Sequence, residues 1–71
     1  MSGGIVALRQ RVLNRSLDVL RGSGPLTGRE IAQRLASLDK RIDRHLVNSV
    51  LADEGVALVR RDSETGKYRC K

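Results

Sequence analysis

The hydrophobic and polar positions divide the chain into three stretches of helical periodicity and one final stretch of alternating periodicity. Between residues 5 and 21, apolar residues recur at the spacing that places side chains on one side of a helix. Gly22 is the expected stop for this helix, and the Gly-Ser-Gly-Pro segment at 22–25 separates it from the next element. Leu26 is expected to be a short, buried, extended residue. The inward side of this first helix is expected to comprise Val12, Leu13, Leu17, Val19 and Leu20.

A capping box marks the start of a second, short helix over about 28–36. The Thr27 side chain can accept a hydrogen bond from the backbone N–H of Glu30, and the Glu30 carboxylate can accept one from the backbone N–H of Thr27. Residues 37–38 form the following turn. The inward side chains of this helix are expected to be Ile31, Ala32 and Leu35.

A third helix is predicted over residues 39–54, with Asp39 as its N-cap and Gly55 ending it. Asp43 falls near the apolar side, and in the first turn it can stay exposed and interact with the positive end of the helix dipole. The inward set is Ile42, Leu46, Val47, Val50 and Leu51. The outer set is Arg41, Arg44, His45, Asn48, Ser49 and Ala52.

Alternating residues at 56–61 and 67–70 predict two strands joined by the polar turn 62–66, which we call the hairpin. The fold class expected is therefore α+β, mainly α: a winged helix-turn-helix with three helices followed by a two-stranded β-hairpin wing. Residues 6–71 would form this single domain, and residues 1–5 would be a disordered N-terminus.

The inventory of reactive residues argues against an enzyme. One cysteine and one histidine cannot form an intramolecular disulfide or a tetrahedral metal site, and no phosphate-loop or paired-carboxylate arrangement is present. We therefore expect no catalytic residue, metal or cofactor. No apolar run reaches the roughly 18–20 residues of a membrane span, so no membrane partner is expected. The lone cysteine fits an intracellular, reducing location.

The charge indicates a polyanionic partner. The chain of 71 residues has a net charge of +6 and a pI near 10.8. The third helix is not basic overall, but its outer face presents donors of the kind that contact phosphates and base edges. Asn48 lies in mid-helix with no evident capping task, although asparagine there costs roughly 0.5 kcal/mol relative to alanine. The expected nucleic-acid-binding residues are Arg41, Arg44, His45, Asn48, Ser49, Arg60, Arg61, Lys67, Tyr68 and Arg69.

Structural alternatives remain open for each of these features. The outer face can be an ordinary solvated helix face, and His45 can be a partly covered helix residue. Basic residues in the hairpin can serve to protect an edge strand from pairing. Tyr68 can pack in the core, or its ring can stack against a sugar or base where the third helix meets the hairpin.

Residues 12–69 resemble a winged helix-turn-helix domain, and the segment 24–32 is similar to the entry of the second helix in that superfamily. The run 44–51 resembles the third helix of Zα-type domains, which bind left-handed nucleic acid. In that family a basic residue precedes a contacting asparagine by four positions, and Arg44 and Asn48 match this pair. Ala52 stands where the family has a tyrosine. The hairpin lacks the family's prolines, and Tyr68 is the nearest counterpart of its tryptophan.

These observations together predict a nucleic-acid-binding module, with a role such as transcription regulation. The partner expected is duplex DNA, with RNA as the alternative, and the third helix and the hairpin would straddle its backbone. The rival hypothesis is a winged helix that binds an acidic protein partner within a larger assembly or multidomain protein.

Overall fold

The computed structural model describes residues 3–71, with side chains described from Val6 onward. The fold is small, α+β and mainly helical, as predicted, and it consists of three helices and three short strands. Of the predicted disordered segment 1–5, residues 1–2 lie outside the described residues, and residues 3–5 begin the first helix. In chain order the elements are α1 Gly3–Ser23, β1 Leu26–Thr27, α2 Gly28–Leu35, α3 Arg44–Asp53, β2 Val59–Arg61 and β3 Lys67–Cys70.

The predicted hairpin forms from β2 and β3, but the sheet has three antiparallel strands, in the order β1-β3-β2, and not two. Leu26 is extended and buried, as expected, but it also pairs with Tyr68 and thereby adds a strand to the hairpin. Thr27 has the extended backbone of an N-cap residue at the start of α2. In this conformation it also pairs with Lys67, next to the pair of Leu26 and Tyr68. As a result β3 is the central strand and β2 is an edge strand.

The start of α2 forms as the capping box predicts. The backbone N–H of Glu30 donates to Thr27 Oγ1 at 3.1 Å, and the backbone N–H of Thr27 donates to Glu30 Oε1 at 3.0 Å. These hydrogen bonds lower the pKa of Glu30 below its ordinary value, because they favour the ionised carboxylate. Ile31, Ala32 and Leu35 are buried, as predicted.

The third helix begins later than predicted. Asp43, not Asp39, is its N-cap: Asp43 has extended backbone angles, and its carboxylate accepts from the backbone N–H of Leu46 at 2.8 Å. Asp39 instead stabilises the preceding turn, because its carboxylate accepts from the backbone N–H of Arg41 at 2.8 Å and from the Arg41 guanidinium at 2.7 Å. These interactions with Arg41 lower the pKa of Asp39 to about 2.

Aliphatic side chains from all three helices and the sheet form one core. Val47, Val50 and Leu51 are fully buried on α3, whereas Leu46 is half-buried at the core margin. Further buried positions are Val12, Leu13, Leu17, Leu20, Leu26, Ile31, Ala32, Leu35, Ile42, Val59 and Tyr68.

Two sequence-based expectations for α1 are corrected. The inward side of α1 includes Ser16, which is 0 % exposed and whose hydroxyl has no hydrogen-bond partner within the described residues. Val19, which was expected on that side, is only half-buried. Gly22 continues the helix, and the stop is Gly24, whose φ of 82° is readily adopted only by glycine. Within residues 3–71, no helix is both long and apolar enough to cross a membrane.

Candidate nucleic-acid interface

Asn48 lies where α3, the first residue of α2 and the central strand meet. Its Oδ1 atom accepts a hydrogen bond from the Tyr68 hydroxyl at 3.0 Å. Its amide also packs directly on Gly28, since a Cβ atom at that position would lie within 2.1 Å of Oδ1. Asn48 is consequently half-buried and held by contacts from two other elements. This structural role was not visible in the local sequence, where the residue has no capping partner.

Only one end of the Asn48 amide is engaged by the protein. The Nδ2 group donates no hydrogen bond to the described part of the chain, and it is not a buried unsatisfied group. Because Oδ1 already accepts from the Tyr68 hydroxyl, Nδ2 is the group of this amide that remains available to an external acceptor.

Tyr68 belongs to the core, which is the first of the two alternatives for this residue. Its side chain is 5 % exposed, so its ring is not accessible for stacking on a base. The Arg61 guanidinium lies over the ring, 5.9 Å from the centroid, where the negative face of the aromatic attracts the cation. Tyr68 thereby links the Arg61 cation to the Asn48 amide.

Arg44 and His45 are exposed on α3, as predicted, although they lie in its first turn because the helix begins later than predicted. Arg44 lies one helical turn before Asn48, on the same side of the helix. It lines a shallow concavity together with Arg29 from the first turn of α2. Arg29 is therefore a member of this surface that the sequence interpretation missed. The one sequence signal for Arg29 was its position directly after Gly28. That signal could not be used, because the packing of Gly28 on Asn48 is a tertiary contact that the local sequence does not show.

Two residues that were predicted to contact nucleic acid, Arg41 and Ser49, make contacts within the protein instead. Arg41 precedes α3 and is paired with Asp39, which raises the pKa of the Arg41 guanidinium. Ser49 faces α1, where its Oγ atom accepts from Arg9 Nη1 at 3.2 Å.

Acidic side chains surround the contact between Arg9 and Ser49. The same guanidinium donates to Glu54 through Nε at 3.0 Å and to Asp53 through Nη2 at 3.4 Å. These carboxylates make the Ser49 side of α3 unfavourable for a phosphate. The side that Arg44 and Asn48 share carries one carboxylate, that of Asp43, in the concavity lined by Arg29 and Arg44. The two cations outnumber it, so this side is the more favourable one.

The hairpin divides its cations between the two faces of the sheet. Alternation along the strands places Arg61 on the same face as its cross-strand neighbour Tyr68. Arg60, Lys67 and Arg69 project from the opposite face. On the side of Asn48, Arg44 lies one turn earlier on α3 and shares a concavity with Arg29. Arg61 is connected to Asn48 through Tyr68, and His45 follows Arg44 on α3. We call these five residues, Arg29, Arg44, His45, Asn48 and Arg61, the α3 surface.

The α3 surface offers hydrogen-bond donors and positive charge. Within residues 3–71, no cluster of three or more histidine, cysteine, aspartate or glutamate side chains could hold a metal ion.

Comparison of this chain with protein-family models, curated proteins and solved structures found no match.

Proposed function

We propose that the chain is a winged helix-turn-helix module that binds duplex nucleic acid, in particular DNA, through the α3 surface. The observation that carries this proposal is the Asn48 amide, which is held by Tyr68 and Gly28, keeps its donor group unused and lies one turn after the exposed Arg44 on α3. The arrangement of three helices with an antiparallel sheet is consistent with a winged-helix layout.

The charges of the α3 surface support a phosphate-binding role. None of Arg29, Arg44 and Arg61 forms an ion pair in the described part of the chain. Each guanidinium can therefore donate to a phosphate oxygen without first breaking an internal pair. The three come from three different elements, so they can contact successive phosphates on either side of a docked α3.

The geometry of Asn48 favours backbone contact over base reading. Bidentate recognition of adenine requires both the oxygen and the nitrogen of an asparagine amide. The Asn48 oxygen is occupied by the Tyr68 hydroxyl and shielded by Gly28, which leaves only the Nδ2 amino group. An amino group without its carbonyl partner can donate to phosphate oxygens or to a base acceptor, but it cannot complete the bidentate pair. We therefore infer binding dominated by the backbone, with little sequence preference.

The match of Arg44 and Asn48 to the Zα-type pattern extends the proposal to left-handed duplexes. A backbone-reading surface can discriminate helical forms by the spacing of their phosphates. Tighter binding of a Z-prone duplex than of a B-form duplex would support this extension, and equal affinity would contradict it. The rival partner, an acidic protein, would engage the same cations without any affinity for a duplex.

The test is the salt dependence of duplex binding by the wild type and by Arg44→Gln. We expect the variant to bind every duplex more weakly than the wild type does, with about the same loss of affinity for duplexes of unrelated sequence. The slope of log K against log salt should also fall by roughly one unit, because one phosphate contact is lost. Fluorescence anisotropy with labelled short duplexes measures both quantities.

Arg15→Gln provides the matched control, since Arg15 is exposed on α1 and the substitution removes the same charge. It should leave the slope unchanged. Equal slopes for Arg44→Gln and wild type would remove Arg44 from the interface. No duplex binding by the wild type would favour the acidic protein partner.

A further inference from the structure

A second basic surface covers the outer face of the sheet. Along β2 and β3, Val59 and Tyr68 point into the core, so their strand neighbours project outward. These neighbours are exposed, and the chain continues beyond β3 into one more cation. We call this set the outer sheet surface; it consists of Arg60, Lys67, Arg69 and Lys71.

The register of the hairpin places two like charges directly opposite each other. Arg60 is the cross-strand partner of Arg69. Such a pair is destabilising by itself, because neighbouring side chains on one face of a sheet lie within about 5 Å at Cβ. Neither arginine forms an ion pair within residues 3–71. The nearby Asp62 carboxylate is engaged instead with the backbone N–H of Glu64 at 2.8 Å.

Protection of a sheet edge does not account for this surface. Charged residues on an edge strand prevent pairing with other chains, and this explanation suits Arg60 on β2. Lys67 and Arg69, however, lie on β3, which is paired on both sides. A central strand has no exposed edge to protect. Asp62 lines a concavity with Lys67 and Arg69, and Lys67 is close enough to Glu30 to help lower the pKa of that carboxyl. The four cations of the outer sheet surface outnumber these two carboxylates, and this excess of positive charge indicates a surface that meets an anion.

The shape of the outer sheet surface fits an extended anion. Arg60, Arg69 and Lys71 line one concavity of about 460 Å³, and Lys67 and Arg69 line a neighbouring one. Arg69 borders both. The cations thus form a band along the strand, with the Asp62 carboxylate lining one of its concavities. A band of this kind can follow a phosphate backbone.

We propose that the outer sheet surface binds the phosphate backbone of a second duplex, so that one chain bridges two duplexes. The two surfaces face different directions, because the Tyr68 hydroxyl reaches Asn48 on one side of β3 while Arg69 projects from the other. The bridging role rests on the proposed function, in that the first duplex occupies the α3 surface.

A two-step capture experiment tests the bridging role. The full chain is loaded onto beads that carry a short duplex, unbound protein is washed away, and a fluorescent second duplex is added. We expect the wild type to retain the fluorescent duplex. The double variant Arg60→Gln/Arg69→Gln should load within about threefold of wild type but retain at least about tenfold less second duplex, since two phosphate contacts are lost.

The double variant Arg15→Gln/Arg34→Gln removes the same charge from exposed positions on α1 and α2 and should retain the second duplex. Equal thermal midpoints would show that all the proteins are folded. Loading without capture by the wild type, or capture that survives Arg60→Gln/Arg69→Gln, would overturn the bridging role alone. Absence of loading would overturn the proposed function as well. Retention of labelled polyglutamate in place of the second duplex would assign the surface to an acidic protein.

Discussion

Replacement of Leu51 by alanine is expected to lower the free energy of unfolding by about 2–5 kcal/mol. Leu51 is 1 % exposed, and the side chains of Leu51 and Leu13 both lie close to Gly55, where the chain leaves α3. The tight contacts around Gly55 limit how far the surroundings can collapse into the space left by the truncation. Urea unfolding followed by circular dichroism measures this loss.

Leu58→Ala is the matched control, because it deletes the same atoms from a side chain that is 46 % exposed. Its effect should stay within about 0.5 kcal/mol. The comparison matters because a loss of a few kcal/mol is a large share of the stability of a small domain. Similar losses for the two variants would contradict the placement of the core.

Gly28→Ala is expected to destabilise the domain by about 1–3 kcal/mol through Asn48. The new Cβ would lie within 2.1 Å of Asn48 Oδ1, so the amide must swing away from Gly28. The Tyr68 hydroxyl would then lose its acceptor at a buried site. The backbone of Gly28 does not have a positive φ, so the steric contact alone produces the effect. Thermal or urea unfolding measures it.

A double-mutant cycle separates this contact from a general intolerance of alanine at Gly28. In the Asn48→Ala background the clash is absent, and Gly28→Ala should be neutral or should stabilise by roughly 0.5–1 kcal/mol, as expected for glycine to alanine in a helix. Equal losses in both backgrounds would show that Gly28 does not position Asn48.

Local sequence signals predicted the elements better than their boundaries. The capping box at Thr27 involves side chains three residues apart, so the start of α2 could be read directly. The start of α3 could not, because Asp39 and Asp43 are both good N-cap residues and lie one turn apart. The pairing of Asp39 with Arg41 decides between them by stabilising a turn instead of a helix.

Tertiary contacts account for what the sequence interpretation missed at the site. The partners of Asn48 are 20 residues away on either side, and no periodicity indicates that Gly28 and Tyr68 meet there. The contact between Ser49 and Arg9 likewise joins α3 to α1 across 40 residues. Helical periodicity correctly placed Arg44 and Asn48 together on α3, but it could not show which outward side chains are already engaged.

Chemical-shift mapping of the ¹⁵N-labelled chain with a short duplex, at about 50 and 200 mM salt, tests whether the α3 surface binds a duplex. We expect the first shifts, at substoichiometric duplex, to cluster at Gly28, Arg29, Arg44–Asn48 and Arg61. The exposed side of α1 around Arg15 should stay unperturbed. Affinity should fall steeply between the two salt concentrations. Shifts centred on α1, or binding that does not respond to salt, would contradict the assignment of the α3 surface as a duplex-binding site.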